Sequence, residues 1–339
     1  MQLIPSYRAT HLFPYLDLLQ GIGAPVDSGL RRAKLPTVLR DRPDHFLPQS
    51  PTIEFLDCMA KREGIDELSL RALYKMTLGN LSNEFFSIAL RSPTLLCALE
   101  RFRLMVGLED SNVRVWISPG KDTVKLCIGN IIPMKGDKQA FEDWNQLMVL
   151  IAIVRAFTAP DWCPEEIALH TKCTIGPFAR KQFPDTRFLV GSEANWIELP
   201  RKLLAHQPLV WPGTVPATQD PLGDAPGDTP ETIDFAGSLK RILPAYLGDG
   251  YPSIQLMAKL TGHSVRTLQR NLRHSDLTYS GVIKQTRFEV GSRLLRQTDA
   301  KIIEIAFELG YEDPAHFTRA FSCMTGVSPS QYRKQCNLH

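Results

Sequence analysis

The sequence lacks the features of a secreted, disulfide-stabilised or membrane-spanning protein. Its seven cysteines are odd in number and scattered, and no CxxC pair occurs, so neither a disulfide framework nor a zinc ribbon is predicted. The longest apolar run, 147–154, is far shorter than the roughly 20 residues that cross a bilayer. No N-terminal stretch has the basic, apolar and small-residue order of a signal peptide. These absences predict a cytoplasmic protein without a membrane span.

Catalytic motifs are absent as well. The chain contains no GxSxG, HExxH or Walker sequence. "GIGAPV" at 21–26 lacks the third glycine of a dinucleotide fingerprint and follows a segment with a helical pattern instead of a strand. His316 has no second metal ligand at a suitable spacing. We therefore expect no enzymatic activity, no cofactor and no metal site.

Composition is ordinary for a globular protein, but charge is unevenly distributed. The 339 residues are 43% hydrophobic and 22% charged, and they suffice for two domains. Residues 234–339 contain 14 Lys and Arg against 9 Asp and Glu, whereas 212–233 contain four acids and no base. The net charge of +3 therefore conceals a basic C-terminal end, which is compatible with a polyanionic partner.

The acidic segment 212–233 marks a domain boundary. It is rich in Pro, Gly, Asp and Thr and has no hydrophobic period, so it is predicted to be an exposed linker. Upstream, 113–118 and 124–128 alternate like two strands around a "PGKD" turn, and 141–157 is a helix that is apolar on most faces. Ser92 is predicted to cap a further helix. Residues 1–211 are thus predicted to form an α+β domain.

Residues 234–339 are predicted to be all-α and contain an internal repeat. "LMAKLTGHSVRTLQRNL" and "EIAFELGYEDPAHFTRAF" each combine a short amphipathic helix, an Ala followed by Gly four residues later, a turn and a second helix. The second turn is one residue longer. Two short helices joined by a Gly-containing turn form a helix-turn-helix, so two such units are predicted.

The second helix of each unit presents a polar face that suits DNA. We predict that Val265, Leu268 and Leu272 face inward in the first unit, as do Phe317, Ala320 and Phe321 in the second. Arg and Gln side chains can bond guanine and adenine bidentately, and Thr offers a hydroxyl. For any single arginine, contact with phosphate or solvent alone remains the alternative. The predicted DNA-binding residues are Arg266, Thr267, Gln269, Arg270, Ala315, His316, Thr318 and Arg319.

A linker helix beginning at Tyr279 is predicted between the two units. About 17 residues of helix span about 25 Å, and the flanking turns extend this toward the roughly 34 Å of one DNA turn. After the second unit, Gly326 is predicted to end its helix, and Ser328 with Gln331 to cap a last short helix. One chain could therefore reach two successive segments of the major groove.

The segment "IAFELGYEDPAHFTRAFSCMTGVSPSQYR" resembles the signature of the AraC/XylS family of bacterial transcription regulators, within a likeness that covers about 254–335. One departure is Lys301, where the family usually has Ser or a similar cap, and Asp299 is the alternative cap. The residues that match are Ile305, Ala306, Gly310, Tyr311, Asp313, Phe317, Arg319, Phe321, Gly326, Ser328, Pro329, Tyr332 and Arg333.

Residues of about 12–210 are similar to the arabinose-binding-type sensor domain of a subgroup of these regulators. "RSPTLLCALERF" and "FPDTRFLVGSEANWIELPRKLLAHQPL" show that similarity. The subgroup senses varied small molecules, so the resemblance implies an effector but not its identity, and no effector-binding residue is predicted. It also implies promoter DNA as partner, RNA polymerase if the protein is an activator, and a homodimer as one assembly.

Two functions follow from these patterns. The leading one is a sequence-specific transcriptional regulator that responds to a small effector bound by the N-terminal domain. The alternative is a DNA-binding protein whose N-terminal domain serves only oligomerisation or protein contact, without an effector. Retained ligand, or thermal stabilisation by a metabolite, distinguishes the first from the second.

Overall fold

A computed structural model describes residues 3–82, 87, 91–134, 137–209 and 234–336. By its internal contacts the chain forms two compact units, each described here by itself. The larger comprises 7–44 and 49–232, and the smaller comprises 1–6, 45–48 and 233–339. The predicted linker at 212–233 lies outside the described residues. Among the described residues, no helix combines the length and apolar character needed to span a membrane.

The larger unit is built around a five-stranded sheet, whose strands are β3 (Val113–Pro119), β4 (Thr123–Asn130), β5 (Glu166–Leu169), β6 (Arg187–Val190) and β7 (Asn195–Pro200). Their order in the sheet is β3-β4-β7-β5-β6. All neighbouring strands are antiparallel except β5 and β6. The predicted strand–turn–strand is confirmed as β3 and β4, in which Val115 pairs with Ile128. Two further short strands of the described residues, β1 (Ser6–Arg8) and β2 (Phe46–Pro48), are not part of this sheet.

Within the described part of the chain, seven α-helices accompany this sheet. The predicted central helix is confirmed as α6 (Asp137–Arg155), and every residue of 147–154 is buried because the helix packs against β4, β7 and other helices. The mixed helices and mainly antiparallel sheet confirm the α+β class. The α-helices are α1 (Phe13–Gly21), α2 (Val26–Ala33), α3 (Gln49–Glu63), α4 (Leu68–Leu73), α5 (Leu95–Glu109), α6 (Asp137–Arg155) and α7 (Pro177–Gln182).

The predicted cap of α5 was wrong by two residues. The helix begins at Leu95, and the hydroxyl of Thr94 accepts a hydrogen bond from the backbone N–H of Cys97 at 3.3 Å. Thr94 has the extended backbone of an N-cap residue, whereas Ser92 is buried. Serine and threonine are both favoured N-cap residues, with serine slightly ahead, so the sequence pattern alone pointed to the wrong one.

Residues 234–336 of the smaller unit are all-α, and the unit has two hydrophobic clusters. One gathers Phe235, Leu268, Leu272 and Ile283, and the other gathers Leu295, Ile305, Phe317 and Phe321 with their neighbours. Its helices are α8 (Phe235–Ile242), α9 (Pro244–Leu247), α10 (Ile254–Leu260), α11 (Val265–Arg273), α12 (Tyr279–Gln297), α13 (Ile302–Glu308), α14 (Pro314–Thr325) and α15 (Pro329–Cys336).

Two short segments from early in the chain belong to this smaller unit. Ile4 is 1% exposed and lies in the same cluster as Phe235 and Leu239. The guanidinium carbon of Arg241 lies 3.8 Å from the ring centroid of Phe46. The core of the smaller unit therefore includes side chains distant from 234–339 in sequence.

The interior of the larger unit contains a polar network. The side-chain amide of Asn195 donates to Asp143 at 3.0 Å and to Gln146 at 2.8 Å, and Gln139 donates to Asp143 at 2.9 Å. Glu142 is also fully buried. Loss of hydration, and then the negative charge of Asp110, raise the pKa of Glu142 to about 8.

We expect Glu142→Gln to flatten the dependence of stability on pH. A carboxyl group whose pKa is raised in the folded state contributes stability below its unfolded pKa, and that stability is lost as the pH rises toward about 8. The difference in free energy of unfolding between variant and wild type should therefore be more favourable to the variant at pH 8 than at pH 5, by on the order of 1–3 kcal/mol.

Tryptophan fluorescence during thermal unfolding measures this, because all five tryptophans precede residue 212. The control is Glu100→Gln, at a side chain that is 47% exposed. An equal pH slope for Glu142→Gln and wild type would refute the expectation.

We expect Gly310→Ala to destabilise the smaller unit by roughly 3 kcal/mol. Gly310 has φ 73°, and an added Cβ would come within 2.2 Å of the carbonyl oxygen of Leu247. Gly326 is the matched control, because it has a similar φ of 77° but no atom within 4 Å of an added Cβ. Gly326→Ala should cost only the left-handed backbone strain, about 1–2 kcal/mol.

Urea unfolding followed by circular dichroism compares these two variants. Equal losses of stability would show that the contact with Leu247 adds nothing to the backbone strain.

Candidate nucleic-acid interface

The two helix-turn-helix units share one turn geometry. The helix α10 and the helix α13 each end at a glycine in the left-handed conformation, Gly262 with φ 69° and Gly310 with φ 73°. The N–H of His263 bonds the carbonyl of Ala258 at 2.9 Å, and the N–H of Tyr311 bonds that of Ala306 at 3.0 Å. This pairing across five residues is the bond that closes a Schellman motif. The Ala-x-x-x-Gly repeat therefore encodes two copies of one turn.

The turns then start the second helices with side-chain caps. The hydroxyl of Ser264 accepts from the N–H of Thr267 at 3.1 Å, so α11 begins at Val265. In the second unit Asp313 accepts from the N–H of Ala315 at 2.8 Å, and Pro314 is the first helical residue, as predicted. Five residues separate α13 from α14 and four separate α10 from α11, which confirms the longer second turn.

The helix α13 begins at the position where the family usually has its cap, although that position is a lysine here. Lys301 is the N-cap position, and the carboxylate of Glu304 accepts a hydrogen bond from its backbone N–H at 2.9 Å. Asp299 does not form the cap. One half of a capping box is thus present, because a lysine side chain cannot accept the reciprocal bond.

On α11 the predicted inward and outward faces are separated. Leu268 and Leu272 are buried, and Arg266, Gln269 and Arg270 are exposed. Thr267 is half-buried, and its hydroxyl lies 2.9 Å from that of Ser264. Thr267 therefore supports the cap in addition to lying near the outward face.

On α14 the outward face includes one residue that was predicted to be inward. Phe317 and Phe321 are buried, and Ala315, His316 and Arg319 are exposed. Ala320 is exposed, so its predicted burial was wrong: the two phenylalanines alone fill the core-facing side of this helix. Thr318 is half-buried and donates its hydroxyl proton to the carbonyl of Pro314 at 3.1 Å.

Arginines on these outward faces are uncompensated. Within the described residues, Arg266, Arg270 and Arg319 form no ion pair and donate no hydrogen bond to the protein. The neighbouring Arg273 is likewise exposed and unpaired in that part of the chain. Free guanidinium groups on adjacent turns of exposed helices form a surface that attracts phosphate and can bond base edges.

The helix α12 connects the two helix-turn-helix units, because it is buried in both hydrophobic clusters of the smaller unit. Val282 and Ile283, near its start, are buried in the first cluster, and Leu295, near its end, is buried in the second. The 19 residues of α12 span about 28 Å. The predicted linker helix is thereby confirmed, and it is two residues longer than expected.

Two arginines hold the second helix-turn-helix unit in place through hydrogen bonds to backbone carbonyls. The sequence analysis did not identify this role. Arg287, on α12, donates to the carbonyl of Gly310 at 2.7 Å and lies 4.4 Å from the ring centroid of Tyr311. Arg333 donates to the carbonyls of Ala300 at 2.7 Å and Leu295 at 3.3 Å. For Arg287 a signal existed: it lies four residues after Ile283, on the apolar stripe of the helix.

The C-terminal end follows the prediction. Gly326 ends α14 with φ 77°, and the amide oxygen of Gln331 accepts from the N–H of Ser328 at 3.0 Å. The hydroxyl of Ser328 accepts from the N–H of Gln331 at 3.3 Å, which completes the capping box at the start of α15.

Comparison with known protein families locates this region independently. Residues 257–335 match the family described as "Helix-turn-helix domain". The match begins inside α10 and ends inside α15, so it includes both helix-turn-helix units and the helix between them.

Individual relatives differ in how much of the chain they match and in sequence identity. The chain is 24% identical over 340 residues to the HTH-type transcriptional regulator VirS of Mycobacterium tuberculosis, with 98% of each protein covered. It is 35% identical over 96 residues to the ornithine utilization regulator of Pseudomonas aeruginosa, but spans only 28% of that protein. The solved structure of the transcriptional regulator CdpR from Pseudomonas aeruginosa has a TM-score of 0.45 at 19% identity, covering 96% of this chain and 98% of that one.

Proposed function

We propose that this chain is a DNA-binding transcriptional regulator whose helix-turn-helix domain is of the AraC type, and that α11 and α14 enter successive major-groove segments of promoter DNA. The observation that supports this most is the set of exposed arginines without intramolecular partners on both second helices. The residues proposed to contact DNA are Arg266, Thr267, Gln269, Arg270, Ala315, His316, Thr318 and Arg319.

The proposed contacts differ in kind. Arg266, Arg270 and Arg319 can bond guanine bidentately or neutralise phosphate, and Gln269 can bond adenine. His316 can contact a base or a phosphate. Thr267 and Thr318 use their hydroxyls within their own helices, so we expect them to contribute less to base selection.

We further propose a division of labour along the chain. Residues 1–211 would form the effector-sensing or oligomerising domain, 212–233 the linker and 234–339 the DNA-binding domain. The effector would be a small molecule, and the active form a homodimer that engages RNA polymerase if the regulator is an activator. All seven cysteines are free thiols, which favours the reducing cytoplasm.

The alternative remains a DNA-binding protein whose N-terminal domain only oligomerises. Footprinting of the purified chain across its native genome, with and without a metabolite library, tests both functions. Metabolite-dependent footprints support effector sensing, and footprints that no metabolite changes favour the alternative. Absence of any sequence-specific footprint would refute the proposed DNA contacts.

We expect Arg270→Ala to weaken binding to the footprinted site by about 1–3 kcal/mol if Arg270 contacts a base, with relaxed selection at that position. If it contacts phosphate, the slope of log affinity against log salt should flatten by about one. Fluorescence anisotropy over a salt series measures both. Arg103→Ala, at an arginine of α5 paired with Glu100, is the control. Unchanged affinity and slope would remove Arg270 from the interface.

We expect residues 234–339 alone to bind the same site as the full chain. The fragment should be less stable than this unit within the full chain, because Ile4 contributes to its core. Anisotropy gives the affinity, and circular dichroism shows whether the fragment is folded. A folded fragment that binds no site recognised by the full chain would contradict independent function of the domain.

A further inference from the structure

The larger unit contains a cleft of about 550 Å³, within the usual range for small-molecule sites. It lies between the segment that follows α4 and the C-terminal end of α6. Met76, Leu78, Ala152 and Ala156 line it, so its walls are largely apolar. A cleft of this size and character suits the apolar body of a small molecule.

One charged side chain is buried in the wall of this cleft. Arg155, in the last turn of α6, is 8% exposed. Its Nε donates to the carbonyl of Trp162 at 2.9 Å, and its Nη1 donates to the carbonyl of Tyr74 at 3.0 Å. Its guanidinium carbon also lies 5.2 Å from the ring centroid of Tyr74. These contacts hold the guanidinium in place but do not neutralise it.

The remaining nitrogen of Arg155 has no oxygen acceptor among the described residues. There Nη2 has one hydrogen-bond partner, the sulfur of Cys163 at 4.0 Å, and sulfur is a weak acceptor. Within the described residues, no carboxylate pairs with Arg155. Lys75 and Asp161 also line the cleft, but both are exposed and their charges are opposite. Arg155 therefore leaves the cleft with a buried, uncompensated positive charge.

Buried charges in proteins are normally paired, because removal of water from an ion is costly. A ligand that brings an anionic oxygen to Nη2 would satisfy the free N–H groups and the charge together. A carboxylate matches the planar guanidinium and forms the strong, charge-assisted class of hydrogen bond. The apolar walls require that the rest of such a ligand be apolar.

We propose that this cleft is the effector site and that it binds a small organic carboxylate with an apolar body. The carboxylate accepts hydrogen bonds from Nη2 of Arg155, and the body packs against Met76, Leu78, Ala152 and Ala156. This inference rests on the proposed effector-sensing function. It adds the location of the site and the chemical class of its ligand.

Arg155 also joins the end of α4 to the loop after α6, so a purely structural role is the competing explanation. Matched pairs of ligands distinguish a ligand-binding role of Arg155 from a purely structural one. The probes are straight-chain carboxylates from butanoate to dodecanoate, benzoate and phenylacetate, each compared with its primary amide by thermal shift and titration calorimetry on the full chain. A carboxylate site predicts that at least one acid binds about tenfold more tightly than its amide.

Two variants localise that preference. Arg155→Met should remove the advantage of the acid over its amide, because it keeps the aliphatic stem but not the charge. Ala156→Leu should weaken the binding of the acid and of the amide alike, because the larger side chain fills the cleft but leaves the guanidinium of Arg155 present. The controls are Arg103→Met, which removes an exposed arginine of α5, and Ala159→Leu, which adds the same bulk outside the cleft lining.

The proposal is overturned if no acid binds more tightly than its amide, or if the preference survives in Arg155→Met. Should Arg155→Met unfold, Ala156→Leu still decides, because undiminished acid binding in that variant places the site elsewhere. Footprinting is recorded separately on the wild type. Intact DNA binding without acid binding refutes only this cleft, whereas acid binding without any footprint refutes the proposed DNA contacts and leaves the cleft standing.

Discussion

The arrangement of the smaller unit depends on one helix that belongs to two hydrophobic cores. The first half of α12 is buried beside Leu268 and Leu272, and its last turns are buried beside Phe317 and Phe321. A helix is stiff over 19 residues, and each end is held by packing that is costly to open. The two outward faces are therefore attached to one rigid connector, which is the condition for presenting them together to one duplex.

Hydrogen bonds to backbone carbonyls complete this arrangement where packing alone would leave rotation free. Arg287 bonds the carbonyl of the turn glycine Gly310, and Arg333 bonds the carbonyls at the end of α12. Both arginines are thereby engaged in the architecture, unlike the exposed Arg266, Arg270 and Arg319. Arginine thus has two different roles in this small unit, and burial and partners distinguish them.

The larger unit shows a similar contrast between a buried carboxylate with several donors and a buried guanidinium without a carboxylate partner in the described residues. Asp143 is buried but accepts from Asn195, Gln139 and the N–H of Thr171. This carboxylate is stabilised because each of its two oxygens has a donor. Arg155 differs, since within the described part of the chain its Nη2 has a sulfur as its one hydrogen-bond partner. The difference is the physical reason for regarding one polar cluster as structural and the other as a place for a ligand.

Much of the smaller unit could be predicted from the order of its residues, because its determinants are local. The Ala-x-x-x-Gly spacing, the Asp313–Pro314 start of α14 and the period of Leu268 and Leu272 each act within one or two helical turns. The inclusion of Ile4 in that core, the Thr94 cap chosen over Ser92, the exposure of Ala320 and the cleft around Arg155 were decided only by the tertiary structure. Some of these features join groups that are distant in sequence, and only packing brings such groups together. Others are choices between neighbouring residues, and only packing decides which residue caps a helix or is buried.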